Sequence, residues 1–272
     1  MAAAATGDLE PALWTAASRG GTQEVRRLLG EGAAINEIGG PLDCSPLQAA
    51  AQKGHEEVVW MLLEHKADVS AKNFDGRTSL HEAAFKGHET LVTLLLKHGA
   101  DLSSKANNGA TPLHWAVLGE QKAIVLLLLD KGAEVSATDI DGRTPLHAAA
   151  VKGYANVAWV LLQNGAKVKA MDNVGKTPLN WATSQGHLAV ASLLLAKGAD
   201  VDQGREAVAL QSRRPSLSKK TAIPDVEQGR KAVALLPRRP TSLGKQMPLL
   251  GKSTPIPGKA PAPHSPGPSN SL

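Results

Sequence analysis

The 272-residue sequence holds one cysteine, eight aromatic side chains and no apolar run near the length of a membrane span. Each shortage excludes something. Cys44 alone cannot form an internal disulfide, which fits a reducing compartment. Aromatics make up 3% of the chain, so a core must be built mainly from Ala, Leu and Val. A spanning helix needs about 18 or more consecutive apolar residues, and none is found. The first residues lack the basic segment and apolar stretch of a secretory leader. These features predict a soluble intracellular protein, cytoplasmic or nuclear. What is present suffices for a sizeable core, since 42% of residues are apolar and 20% charged.

Charge is divided unevenly. Residues 1–202 carry 18 Lys/Arg against 22 Asp/Glu, a net of −4, whereas residues 203–272 carry 12 against 3, a net of +9. The second segment also holds 11 of the 17 prolines and none of the aromatics. Such a composition cannot offset the entropy of ordering, so a disordered basic Pro-rich tail is expected over 203–272. A flexible N-terminus is expected over 1–8.

Between these ends the sequence repeats. Ser45, Thr78, Thr111, Thr144 and Thr177 lie 33 residues apart and open Ser-Pro-Leu-Gln, Thr-Ser-Leu-His, two copies of Thr-Pro-Leu-His, and Thr-Pro-Leu-Asn. Gly99, Gly132, Gly165 and Gly198 keep the same interval, and a degenerate first copy around Pro11-Ala12-Leu13-Trp14 sits 34 residues upstream. Each copy reads as one unit. The Thr or Ser caps a short helix whose first residue tolerates Pro. Small residues such as Ala83-Ala84 let a second helix pack closely, and Gly87-His88 or Gly153-Tyr154 turns the chain into it. Gly99 and its equivalents end that helix. Asp75-Gly76, Asn108-Gly109 and Asp141-Gly142 then form tight projecting turns.

The 33-residue period, the Thr-Pro-Leu-His signature and the Gly-Ala-Asp-Val ending resemble ankyrin repeats. The resemblance implies an all-α repeat solenoid of six units: about 9–39, 40–72, 73–105, 106–138, 139–171 and 172–202. It also implies hairpin fingers along one side, with fingers and short inner helices forming the binding surface. Lys66 in place of Gly, and Glu120-Gln121 in place of Gly-His, put two local turns in doubt.

Motifs that would carry catalysis fail on spacing. His-Glu pairs at His55, His81 and His88 resemble the zinc-protease helix motif, but the required second His is replaced by Val59, Phe85 and Val92. His81, His114 and His147 repeat with the period, which points to structural hydrogen bonding between repeats. Gly175-Lys176-Thr177 and Gly251-Lys252-Ser253 end like a phosphate-binding loop, yet its first glycine would fall at Ala170 and Gln246. Cys44 has no neighbouring base in the sequence. No catalytic residue, cofactor or metal is expected.

Residues beside the finger glycines and before the Gly-His turn are free to vary, so they report on a partner. These are Phe74, Asp75 and Arg77, then Asn107 and Asn108, then Ile140, Asp141 and Arg143, then Asn173, Val174 and Lys176 on the fingers, preceded by Pro41 and Leu42. On the inner helices they are Phe85-Lys86, Leu118 and Val151-Lys152. Contiguous apolar residues at exposed positions mark an interaction site, and Arg beside them suits a hot spot. Among ankyrin proteins, an apolar row like Phe85, Leu118 and Val151 is also associated with nuclear entry. Trp115 and Trp181 are read as buried between inner helices, and Trp60 and Trp159 as covering the outer-helix stripe.

The tail repeats Gln-Gly-Arg from 203 at 228, and Arg213-Arg214-Pro215-Ser216 returns as Arg238-Arg239-Pro240-Thr241. This resembles the substrate motif of basophilic kinases, so Ser216, Thr241 and Ser242 are phosphorylation candidates. Residues Ala207 to Leu210 are expected to fold over the open end of the last repeat. The reading is a monomeric, non-enzymatic adaptor that binds a protein partner. The alternative is a nuclear protein whose basic tail makes weak electrostatic contact with nucleic acid or an acidic surface.

Overall fold

The structure, a computed structural model, describes residues 9–40 and 43–200. Twelve helices stand among the described residues, in six pairs. In chain order they are α1 (Leu9–Arg19), α2 (Thr22–Gly30), α3 (Pro46–Lys53), α4 (Glu56–Glu64), α5 (Ser79–Lys86) and α6 (Glu89–Lys97). Then follow α7 (Pro112–Leu118), α8 (Lys122–Asp130), α9 (Pro145–Lys152), α10 (Ala155–Gln163), α11 (Pro178–Ser184) and α12 (Leu188–Ala196). The only bridge among the described residues joins Gly39 to Cys44.

Each odd-numbered helix from α3 onward starts the same way. Ser45, Thr78, Thr111, Thr144 and Thr177 take extended backbone and cap their helices in a reciprocal box with the residue three positions on. In three repeats that residue is a histidine. The backbone N–H groups of Thr78, Thr111 and Thr144 donate to Nδ1 of His81, His114 and His147 at 3.0, 3.2 and 3.1 Å. Nδ1 is therefore the acceptor, and the proton sits on Nε2. From there Nε2 donates to the Ala110, Arg143 and Lys176 carbonyls of the next repeat at 3.2, 3.1 and 3.1 Å. Gln48 reproduces both halves: Oε1 accepts from Ser45 N–H at 2.8 Å, and Nε2 donates to the Ala71 and Arg77 carbonyls.

Packing repeats with the same period. Ala50, Ala83, Ala116, Ala149 and Ala182 are wholly buried where successive odd helices meet, and Leu62, Leu95, Leu128, Leu161 and Leu194 fill the layer between the odd and even helices. These residues belong to one continuous core running through all six units. The odd helices approach one another more closely than the even ones. Alanine permits that approach.

Both doubtful turns form. Lys66 and Glu120 adopt positive φ, +69° and +58°, at the places where other repeats use glycine. At Gly153, which matches Glu120, the glycine is needed for space as well as φ: a Cβ there would lie 2.5 Å from the His187 ring, which bonds the Val151 carbonyl at 3.0 Å. Gly99, Gly132 and Gly165, which match Lys66, would have nothing within 4 Å of such a Cβ. No such crowding forced glycine on the first two sites. The expected flexible N-terminus, the tail over 203–272 and its capping turn lie outside the described residues.

Two predictions follow from the caps and turns. Burial pushes His81 and His114 down to about 4 and lowers His147, against an ordinary value of 6.5. The unfolded chain thus takes up protons first, and stability present above pH 6.5 is lost as pH falls toward 4. Each histidine contributes up to about 1.4 kcal/mol per pH unit. Urea unfolding of wild type and His114→Gln between pH 7.5 and 5 checks this, and an equal slope in the variant rejects it. Separately, Lys66→Gly and Glu120→Gly each relieve left-handed strain and are expected to gain about 1 kcal/mol in the same assay.

Candidate partner-binding surface

The fingers are built from Asx-type turns. Asn73 Oδ1 accepts from the Asp75 and Arg77 N–H groups, Asp139 Oδ1 from those of Asp141 and Arg143, and Asp172 Oδ1 from those of Val174 and Lys176. Neighbouring fingers are stitched together. Backbone N–H groups of Asn107, Ile140 and Asn173 donate to the Asp75, Asn108 and Asp141 carbonyls at 2.9, 3.0 and 2.8 Å. Asn107 and Asn173 add side-chain bonds to the Phe74 and Ile140 carbonyls at 2.8 and 2.9 Å. Asn107 therefore serves the ladder through its amide, while Asn108 accepts from Ala110 N–H at 3.1 Å and keeps its side chain exposed.

This ladder holds two apolar tips in water, Phe74 at 67% and Ile140 at 64% exposure. Below them Phe85, Leu118 and Val151 are half-buried along the odd-helix side, with Lys86 exposed and Lys152 half-buried beside them. Phe85 meets Trp115 edge to face, ring centres 5.7 Å apart. The Lys86 ammonium lies 5.4 Å from the Phe85 ring centre.

The two arginines are placed differently from the expectation. Arg77 is mostly covered, ion-paired with Asp75 and with Glu82 at 3.0 Å, and its guanidinium lies 4.7 Å from the Trp115 ring centre. Arg143 is buried, pairs with Asp141 at 3.0 Å and covers Trp181 at 4.9 Å. They brace the finger bases from inside, because a guanidinium can stack on an indole and donate to carboxylates at once. Trp115 and Trp181 are half-buried rather than sealed between helices, and the Trp181 Nε1–H donates to Asp172 at 2.8 Å. Trp60 and Trp159 depart further: the residues are 51% and 49% exposed, on α4 and α10. The inner faces of those helices are already filled by valine and leucine, which leaves the tryptophans outside. Leu126 shares their position one repeat before Trp159 and is exposed too.

Several features were not singled out in the sequence. Met171 joins the expected finger residue Val174 in extending the exposed apolar fingers, and Glu82 is a buried carboxylate beside a cavity near Trp14 and Cys44. Aligning Glu82 with Trp115 and Trp181 would have flagged it. Pro41 and Leu42, and the phosphorylation candidates Ser216, Thr241 and Ser242, lie outside the described residues. Among the described residues, no group of three or more His, Cys, Asp or Glu is placed to hold a metal ion. None of their helices is long and apolar enough to cross a membrane.

A family described as ankyrin repeats (3 copies) matches the chain over residues 3–73, 65–139 and 134–205. The chain belongs to the ankyrin repeat family. Its repeat domain is thus a protein-interaction fold. A shorter likeness, 56% identity over 36 residues, is to the E3 ubiquitin-protein ligase XBAT33 of Arabidopsis thaliana. It covers 13% of this chain and 7% of that protein, about one repeat in length.

The finger ladder yields its own test. Asn107→Ala removes the bond to the Phe74 carbonyl and is expected to cost about 1 kcal/mol in urea unfolding. Unchanged stability would show that backbone bonds alone hold the finger.

Proposed function

We propose that the chain is a non-enzymatic adaptor that docks a protein partner on the fingertips and the odd-helix surface of repeats three to five. The observation that carries this reading is the pair of exposed tips, Phe74 and Ile140, held rigid above the half-buried row Phe85, Leu118 and Val151. Apolar side chains kept in water by a hydrogen-bonded scaffold gain free energy only when a partner covers them. Asp75, Lys86, Asn107, Asn108 and Lys152 form the polar rim, and Arg77 and Arg143 set its shape from below. The tail over 203–272 supplies a basic second contact, phosphorylated at Ser216, Thr241 or Ser242, in an intracellular monomer.

The second reading draws on the net +9 of residues 203–272. In it the tail makes salt-sensitive contact with nucleic acid or another acidic surface.

Affinity capture from lysate with full-length protein and with Phe74→Ser/Leu118→Ser/Ile140→Ser separates the two. These positions contribute little to the stack, so the variant keeps its fold. A partner lost with the triple variant and retained at high salt supports docking on the repeats. Capture unchanged by the variant but stripped by salt transfers the function to the tail.

A further inference from the structure

Equivalent positions along the repeats expose a break in an internal pattern. At the finger base stand Cys44, Arg77, Ala110, Arg143 and Lys176, and on the odd helices stand Ala49, Glu82, Trp115, Ala148 and Trp181. Twice a finger-base cation covers the aromatic ring of the next repeat, Arg77 over Trp115 and Arg143 over Trp181. At the corresponding place near the start of the stack, Cys44 replaces the cation and Glu82 replaces the ring. Small Ala49 leaves a cavity of about 280 Å³ there, lined by Trp14, Cys44, Gln52, Lys53 and Glu82 among others.

Glu82 is 3% exposed. Its Oε2 accepts from Gln52 Nε2 at 3.2 Å, while Oε1 makes no hydrogen bond and has only the ion pair with Arg77. Arg77 is shared with Asp75, so two carboxylates divide one guanidinium. Lys53 is exposed at the rim, where water screens it. The local field is felt by Cys44, whose thiol is pushed up by burial first and then by the Glu82 and Asp43 carboxylates, against the bond it accepts from Trp14 Nε1 at 3.1 Å. The cavity therefore offers a buried carboxylate with spare acceptor capacity beside an indole, at the site where the later repeats put a guanidinium.

We propose that this cavity binds an arginine side chain presented by a partner protein, the guanidinium entering between Cys44 and Glu82 beside the Trp14 indole. A planar guanidinium stacks on an indole and donates to a carboxylate at the same time, which a compact, strongly hydrated ammonium does less well. The inference rests on the docking reading above and names the partner's chemistry at the first three repeats.

The test follows the Trp14 indole N–H by NMR in the full chain, titrated with acetyl-Gly-Arg-Gly-amide and with the same peptide carrying citrulline, which is uncharged. A saturable shift is expected with arginine, and citrulline is expected to bind at least about tenfold more weakly. Glu82→Gln should weaken the arginine peptide similarly, and Cys44→Arg, which supplies the guanidinium from within, should abolish its binding. An unchanged Trp181 indole signal reports that each variant is folded. Should Glu82→Gln lose that signal, the citrulline comparison on wild type and the Cys44→Arg variant decide. Equal binding of the two peptides, or undiminished binding to folded Cys44→Arg, overturns the proposal. Phe74, Leu118 and Ile140 lie outside the cavity lining, so capture through them can persist when arginine binding fails, and the two readings fail separately.

Discussion

The middle of this stack, repeats two to five, depends on one side chain in each that bonds in two directions. In His81, His114 and His147, Nδ1 closes the cap of its own helix and Nε2–H reaches a carbonyl of the next repeat. The first bond is local, satisfying a backbone N–H that would otherwise be stranded at a helix start. The second fixes where the neighbouring finger begins. A short helix of seven or eight residues is marginal alone. Coupling its cap to the next unit makes the repeats stabilise one another, as a nearest-neighbour chain requires.

Because the scaffold is settled by these bonds and by the alanine contacts, the finger tips are released from structural duty. Phe74 and Ile140 alternate with Asn107 and Asn173, so each apolar tip is followed by an amide that ties it down. The result is a surface that is apolar and rigid together. Rigidity matters, since a preorganised patch loses little entropy when a partner covers it. Beneath the tips, the arginine–tryptophan stacks fill the space between finger and helix, and the cavity beside Glu82 is what remains where the stack is interrupted.

Much of this was legible in the residues. Six units, their helix pairs, the caps and the histidine bonds between repeats all follow from a 33-residue period and the Thr-Pro-Leu-His signature. The apolar character of Phe74 and Ile140 was readable as well, because finger positions lie outside the periodic core pattern. Less legible were Arg77 and Arg143. Their positions suggest free surface cations, but their partners, Trp115 and Trp181, come from the following repeat, 38 residues on. Trp60 and Trp159 misled for the opposite reason: a bulky apolar residue on a helix is assigned to the core unless the core is known to be full.

Sequence by itself determined the repeat, the local conformations and the order of the units, since caps, turns and periodic apolar residues act within one repeat or on the next. Tertiary structure alone decided which variable residues are free and which are consumed between repeats. It turned Arg77 and Arg143 inward, left Trp60 and Trp159 outside and opened the cavity beside Glu82. Those outcomes depend on how much volume is already occupied at each site, a quantity that arises only when side chains from different repeats compete for the same space.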